Sequence, residues 1–205
     1  MTTKVGSPVA TGFIDGQNLF KQAKRLFGHR EPNFDPVALH REVSRMAGFA
    51  PGPVRVYTGI PAANRQPRWH LFWNNKIQAM KRAGVTVTTR PLRYRKRQLF
   101  DEDGEVETIT QAEEKGIDIR IALDLVRMAR REELDAAIIY SQDQDLNEVV
   151  FEIEAISQLQ GREIPLASAF PWSSQTHFDR GIARTQWLRI DQETYGSCVD
   201  PADYF

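Results

Sequence analysis

Apolar residues follow two patterns that alternate along the chain. Short continuous apolar runs, too short for helices and often closed by glycine or acidic residues, predict buried β-strands. These runs span residues 9–14, 53–60, 85–89, 136–140, 164–169 and 187–190. Longer stretches with apolar residues at helical spacing span residues 17–27, 36–47, 69–83, 117–130 and 146–159. Buried strands that alternate with helices predict an α/β fold, a three-layer α/β/α sandwich on a mostly parallel sheet.

The length of the chain, 205 residues, favours one domain over two. We expect this domain to span residues 1–190 and to be followed by an acidic C-terminal tail over residues 191–205. The tail holds four acidic residues and no lysine or arginine, and is therefore predicted to be frayed.

The overall composition excludes several classes of protein. No apolar run approaches the ~20 residues of a membrane span, and the first residues lack the apolar core of a secretory leader. Cys198 is the only cysteine and cannot form an internal disulfide. These features predict a cytoplasmic protein with no membrane partner, and they leave a homo-oligomer open. Because the net charge is +0, any affinity for nucleic acid has to come from a local patch.

Acidic residues follow two of the predicted strands. Asp15 ends the first strand, and Asp143 and Asp145 follow the strand at 136–140. In open α/β sheets the ligand crevice lies beyond the carboxyl ends of the strands, so these side chains are candidates for a functional site. An aspartate ahead of a helix also serves as an N-cap, which is the structural alternative for each of them. Two such ends in one short domain favour function.

Asp118 is the third candidate, in the first turn of the helix at 117–130. The residues that share its helical face are apolar: Ile121, Ala122, Leu125 and Ala129. A carboxylate at the head of an apolar stripe is costly unless it is paired, capping a helix or bound to a metal. Glu113 and Glu114, just before this helix, can lend a further carboxylate.

Carboxylates that are drawn together repel one another, and a hard divalent cation reverses that effect. Mg²⁺ or Mn²⁺ held by aspartates can bind a phosphate oxygen, acidify a water and support in-line displacement at phosphorus. No protein nucleophile is then needed, in keeping with a chain that has four histidines and no evident Ser-His-Asp pattern.

At these residues the sequence resembles the NYN domain family, PIN-like nucleases that include the LabA-like bacterial proteins. Three motifs carry the resemblance, in the family's order: FIDGQNL (Phe13 to Leu19), EKGIDIRIALDLVRMA (Glu114 to Ala129) and IIYSQDQDL (Ile138 to Leu146). The resemblance implies a PIN-like fold and metal-dependent endoribonuclease activity on single-stranded or structured RNA. It implies that Asp15, Asp118 and Asp143 bind Mg²⁺ or Mn²⁺, and that Asn18 orients a ligand or the attacking water. Asp145 matches the second acid of the third motif, which makes it a further candidate metal ligand.

Two positions bear on this resemblance. Asp124 has Arg120 and Arg127 as helical neighbours, which indicates a solvated ion-pairing face, but the family often has an acid at this position. Both interpretations stay open. Gln142 stands where the family usually has glycine, and a side chain there alters how the loop approaches phosphate.

A basic segment is a candidate RNA-binding element. Its members are Arg90, Arg93, Tyr94, Arg95, Lys96 and Arg97. Cationic side chains beside an aromatic ring suit phosphate contact and base stacking on single-stranded RNA. Alternatively, the acidic stretch 101–107 with a turn at Asp103-Gly104 makes residues 90–110 a β-hairpin whose ion pairs cancel its charge. Three arginines of the C-terminal segment either flank the site or, as their pattern favours, are solvated surface residues: Arg180, Arg184 and Arg189.

The leading hypothesis is therefore an endoribonuclease, and the alternative is a non-catalytic RNA-binding or regulatory module that retains the fold. A phosphatase of the haloacid dehalogenase type is disfavoured, because Gln17 stands where those enzymes carry a second aspartate.

Overall fold

The computed structural model describes residues 6–100, 106–175 and 179–205. Strands β1 to β8 of this part of the chain are Val9–Asp15, Ala50–Ile60, Thr86–Pro91, Arg93–Phe100, Val106–Glu113, Ala136–Tyr140, Leu166–Pro171 and Gln186–Ile190. Helices α1 to α6 are Gly16–Phe27, Pro36–Ala47, Pro67–Arg82, Ile117–Arg130, Asn147–Gln160 and Gln192–Ser197. A 3₁₀ turn, Gln144–Leu146, precedes α5.

The central sheet has the strand order β3-β2-β1-β6-β7-β8, and every neighbouring pair in it is parallel. Side chains alternate across each strand, so Ile14 packs into one apolar core and Phe13 into another. Helices α1, α2 and α3 cover the first core, and α4 and α5 cover the second. The predicted α/β/α sandwich is confirmed. No helix among the described residues is long and apolar enough to cross a membrane.

The sheet reverses its winding direction between β1 and β6. From β1 the chain continues outward to β2 and β3, and from β6 it continues outward in the opposite direction to β7 and β8. The loops that follow β1 and β6 therefore diverge, and they leave a crevice beyond the carboxyl ends of these two strands. Asp15 and Asp143 lie at this crevice.

The helix boundaries follow from local capping chemistry. Asp15 caps α1 by accepting a hydrogen bond from the Asn18 amide at 2.9 Å, and Asp35 caps α2 in the same way with Pro36 in the first turn. Gly28 ends α1 in the left-handed region at a φ of 76°, which glycine adopts without steric cost.

The prediction of a frayed C-terminal tail is wrong. Tyr195 of α6 and Cys198 are buried. The rings of Tyr204 and Phe205 pack edge-on or tilted against Phe72, and Phe205 also contacts Trp69. Counting the acidic residues of the tail overlooked its aromatic residues, whose burial against α3 outweighs the solvation of the carboxylates.

A buried ion pair also attaches the tail. The Lys76 side chain is 1% exposed, and its ammonium lies 3.4 Å from the Asp200 carboxylate. The Tyr204 hydroxyl donates to the same carboxylate at 2.6 Å, and its ring lies beneath the ammonium. Asp200 therefore neutralises a cation that would otherwise be buried alone.

Replacing Asp200 with alanine is expected to lower the free energy of unfolding by about 2–3 kcal/mol, because the Lys76 ammonium loses its partner inside the core. Urea unfolding followed by tryptophan fluorescence measures the change. Asp203→Ala is the control, since Asp203 only accepts the exposed Phe205 amide. Equal effects of the two substitutions would argue against a buried ion pair.

Candidate active site

A cleft of about 470 Å³ lies beyond the carboxyl end of β1. The acidic side chains that line it are Asp15, Glu113, Glu114, Asp118 and Asp143. Asn18 lines it as well, and the cationic residues at its walls are Lys21, Arg97 and Lys115. Residues from three distant segments of the sequence, among them the three aspartates expected to bind metal, thus meet in one cleft.

The cleft does not bring three of these carboxylates onto a single point. Within residues 6–100, 106–175 and 179–205, no three Asp, Glu, His or Cys side chains lie close enough to hold one metal ion together. Asp145 does not line the cleft. It lies exposed on the 3₁₀ turn, where its amide donates to Asp143 Oδ1 at 3.0 Å. The role of Asp145 as a metal ligand stays a prediction.

Asp15 is both a helix cap and a member of the cleft. Asp15 is 7% exposed, and its Oδ1 atom accepts a hydrogen bond from the backbone amide of Asn18. Burial raises the pKa of Asp15 to about 6, and the nearby Asp143 carboxylate adds to the rise. The amides of Asn18 and Gln17 and the charge of Lys21 oppose it. The structural and functional interpretations of Asp15 are therefore compatible.

Glu114 supplies the further carboxylate that the sequence analysis expected from either Glu113 or Glu114. It follows β5 directly, and its Oε2 atom is buried without a hydrogen-bond partner. Burial raises the pKa of Glu114 to about 7, and the charges of Asp15 and Asp118 raise it further, whereas the backbone amide of Gly59 and the charge of Lys21 lower it. A buried acceptor without a donor is rare in native proteins and calls for an explanation such as an ion or a water.

Gly59, near the end of β2, leaves space for the Glu114 side chain because it has no Cβ atom. A Cβ atom on Gly59 would lie 2.6 Å from Glu114 Oε2 and would also overlap the Leu92 side chain. Glycine at this position of β2 therefore lets the carboxylate enter the cleft. The sequence signal was the pair Glu113-Glu114 ahead of the Asp118 helix, but nothing in that pair indicates which glutamate points inward.

Glu113 has a different role, because it binds the hairpin. Arg97 and Arg95 contact its carboxylate at 3.0 and 3.4 Å. Strands β4 and β5 pair antiparallel from Arg93↔Glu113 to Phe100↔Val106, so the paired residues begin and end later than in the hairpin expected at 90–110. Its described ion pairs involve Glu113, whereas the acidic stretch with the expected turn at 103–104 lies largely outside the described residues.

The candidate RNA-binding residues of the basic segment occupy different positions. Arg90 belongs to β3, and its guanidinium lies against Gly116 at the start of α4. The Tyr94 hydroxyl accepts the Ala62 amide at 2.9 Å and thereby anchors the hairpin to the loop after β2. Arg93, Arg95, Lys96 and Arg97 are exposed on β4. Arg97 is the member of this group that lines the cleft.

Asp124 forms ion pairs as predicted, but the prediction of a solvated face is wrong. The residue is 1% exposed and lies beneath three arginines. Arg127 and Arg120 contact Oδ1 at 2.8 and 3.0 Å, and Arg55 lies 3.7 Å from Oδ2. The Tyr57 hydroxyl donates to Oδ2 at 3.0 Å. Helical spacing identified two of these partners, but Arg55 and Tyr57 come from β2, which packs over Asp124 and buries it.

Gln142 uses its side chain to connect two loops. Its Nε2 atom donates to the Arg180 carbonyl oxygen at 2.9 Å. Arg184 and Arg189 pair with Glu154 and Asp179, respectively, in line with the surface role predicted for them. Where the family usually has glycine, this chain thus places an amide that crosses from the loop after β6 to residues 179–181.

The family model of the NYN domain matches residues 11–159 of the chain. This range contains Asp15, Glu114, Asp118 and Asp143. No curated protein matches the chain. Because the matched range covers well over half of the sequence and the sheet has the α/β/α architecture described above, the chain belongs to the NYN domain family, within the PIN-like nuclease superfamily.

Proposed function

We propose that this protein is an endoribonuclease that hydrolyses RNA phosphodiester bonds with Mg²⁺ or Mn²⁺ bound in the cleft. The observation that carries the proposal is a pair of carboxylates in the cleft, the buried Asp15 and the half-buried Glu114, each with a raised pKa. Holding these groups in one cleft, with Glu114 Oε2 lacking a hydrogen-bond partner, costs stability that a bound cation would recover. Such a cost is characteristic of functional sites.

The donor set fits a hard divalent cation. All the acidic groups supply oxygen ligands, and Mg²⁺ is usually held by one or two carboxylates, its own waters and the phosphates of the substrate. Two neighbouring carboxylates therefore suffice, and a group of three is not required. Asp15 and Asp143, whose charges interact, are the proposed ligands, with Asp118 and Glu114 beside them. The cation supplies positive charge at the phosphate and acidifies a water.

The remaining residues of the cleft bind and orient the RNA. Lys21, Arg97 and Lys115 place positive charge at the walls, where they can contact phosphate oxygens. Asn18 lines the cleft near Asp15, and we expect its side-chain amide to orient the substrate or the attacking water. Asp15 holds the first turn of α1, and thereby Asn18, through its cap.

A non-catalytic RNA-binding module is the second candidate function. The absence of a three-carboxylate group among the described residues and the amide at Gln142 favour it. Under this alternative the protein binds RNA in a salt-sensitive manner without turnover under any metal.

The test is cleavage of labelled single-stranded RNA in the presence of Mg²⁺ or Mn²⁺. Cleavage is expected to stop with EDTA, to yield 5′-phosphate and 3′-hydroxyl ends, and to fall by about 100-fold or more in Asp118→Asn. Asp135→Asn is the matched control, because Asp135 is exposed ahead of β6, away from the cleft. Cleavage that persists in both EDTA and Asp118→Asn would refute the site, and RNA binding without any turnover would establish the second candidate.

A further inference from the structure

A second cleft, of about 900 Å³, adjoins the first. Asn18 and Asp143 line both clefts, so the two form one groove that is divided at these residues. The second cleft extends from there between α1 and residues 179–180. Any polymer bound at Asn18 and Asp143 therefore has space to continue into it.

Helix α1 forms one wall along the whole groove. Asn18, Lys21, Gln22 and Arg25 follow one another at helical spacing and share one polar face of α1. Lys21 lines the first cleft, and Gln22 and Arg25 line the second. At 1.5 Å per residue, Arg25 lies about 10 Å beyond Asn18 along the helix axis. The wall thus carries a cationic group in each of the two clefts.

Side-chain amides build the opposite wall. Gln142 Nε2 donates to the Arg180 carbonyl oxygen at 2.9 Å, and Gln144 Nε2 donates to the Gln142 carbonyl oxygen at 2.9 Å. Gln144 Nε2 also lies 3.3 Å from the Gly181 carbonyl oxygen. These bonds hold the loop after β6 against residues 180–181, so this wall is formed before any ligand binds.

The chemistry of the second cleft suits a single nucleic acid strand. Arg25 and Arg180 provide guanidinium groups, which match phosphate oxygens in geometry and charge. The acidic Asp179 is engaged by Arg189 at 3.1 Å, which offsets its charge. The Gln22 side chain in the lining offers a donor and an acceptor to the base edges and 2′-hydroxyls that a single-stranded RNA exposes. The described residues that line the second cleft are all polar or charged, which favours a polar polymer over an apolar protein or lipid partner.

We propose that the second cleft is a strand-binding subsite, which holds single-stranded RNA beyond Asn18 and Asp143 through Arg25 and Arg180. The inference rests on the proposed function for the identity of the polymer. A strand that fills both clefts is held by more side chains than a shorter one, so affinity depends on RNA length. Gln142 contributes to this subsite by fixing its wall through the hydrogen bond to the Arg180 carbonyl oxygen.

The test measures binding of fluorescein-labelled oligouridylates of about 4 to 16 nucleotides by anisotropy. All proteins carry Asp118→Asn and are measured with Mg²⁺, so that binding is read without turnover. In Arg25→Gln/Arg180→Gln, the longest RNA is expected to bind roughly tenfold more weakly while the shortest binds unchanged. The slope of log Kd against log salt for the longest RNA is expected to fall by about one for each arginine that no longer neutralises a phosphate.

Lys24→Gln/Lys81→Gln is the matched control, because it removes the same charge from exposed positions outside both clefts. Its effect is expected to be small and equal at all RNA lengths. A weakening in the arginine variant that is also equal at all lengths, or no weakening, overturns the subsite. A smaller, length-dependent weakening in Gln142→Gly, with an unchanged melting temperature, supports the role of the amide wall.

The two proposals fail separately when this binding experiment is combined with the cleavage assay of the wild-type protein. Length-dependent binding that needs Arg25 and Arg180, together with no cleavage by the wild-type protein, retains the subsite and refutes the nuclease. Cleavage by the wild-type protein with length-independent binding retains the nuclease and refutes the subsite.

Discussion

Replacing Asp15 with asparagine is expected to abolish RNA cleavage and, above neutral pH in EDTA, to make the protein more stable than the wild type. The asparagine side chain is of similar size and still accepts the Asn18 amide, so the helix cap is kept. What the substitution removes is a buried negative charge. Loss of a metal ligand is expected to lower activity by about 100-fold or more.

The pH dependence of this gain follows from the pKa of Asp15. Burial raises that pKa from 3.8 to about 6, so the folded protein retains the proton more tightly than the unfolded chain does. The wild type therefore loses stability as the pH rises from about 4 to 6, and the loss is complete above that range. At about 1.4 kcal/mol per pKa unit the penalty is on the order of 3 kcal/mol, as an upper estimate.

Urea unfolding of both proteins in EDTA, across this pH range, measures the effect. The difference in unfolding free energy between Asp15→Asn and the wild type is expected to vanish near pH 4 and to grow to about 1–3 kcal/mol above pH 7. Asp15→Ala is the control, because it removes the charge together with the cap and forfeits about 1 kcal/mol of the gain. An active Asp15→Asn protein would reduce Asp15 to a helix cap.

The second large effect is expected at Asp124. Asp124→Asn is expected to lower the free energy of unfolding by about 2–3 kcal/mol, because it removes the buried counter-charge of three arginines, two of which stay partly exposed to water. The Tyr57 hydroxyl also loses a charged acceptor. Chemical denaturation followed by circular dichroism measures the change.

Asp118→Asn is the matched control for Asp124, since both aspartates lie on α4. Asp118 is half-buried at the cleft, and we expect its substitution to remove activity with little change in the denaturation midpoint. If Asp124→Asn kept its stability and lost cleavage instead, Asp124 would belong to the active site rather than to the packing of α4 against β2.

Most of the fold was predictable because its signals are local. Apolar runs such as 136–140 and glycines such as Gly28 report the state of the few residues around them. The C-terminal tail was not predictable in this way, because its order depends on Lys76 and on the aromatic residues of α3, far away in the sequence. Whether Asp124 is solvated likewise depends on what β2 places above it.

The sequence predicted which aspartates line the candidate cleft better than it predicted the distances between them. Parallel strands end at one edge of a sheet, which is why Asp15 and Asp143 were expected to meet, and the apolar stripe placed Asp118 with them. The distances between carboxylates depend on side-chain rotamers and loop conformation, which no spacing rule specifies. The sequence also could not show which of two adjacent glutamates enters the cleft. At the end of β5 the Glu113 side chain turns to Arg97, and the next residue, Glu114, turns towards Asp15 and Asp118.

The pairing of β1 with β6 also has a consequence for how the molecule acquires its site. Phe13 pairs with Ile139, so most of the domain lies between the two strands that carry Asp15 and Asp143. Closing so long a stretch of chain costs entropy that is repaid only when the central strands are in place, and contacts of this kind form slowly. The nascent chain therefore carries its acidic residues apart, and the cleft arises only when the centre of the sheet is complete.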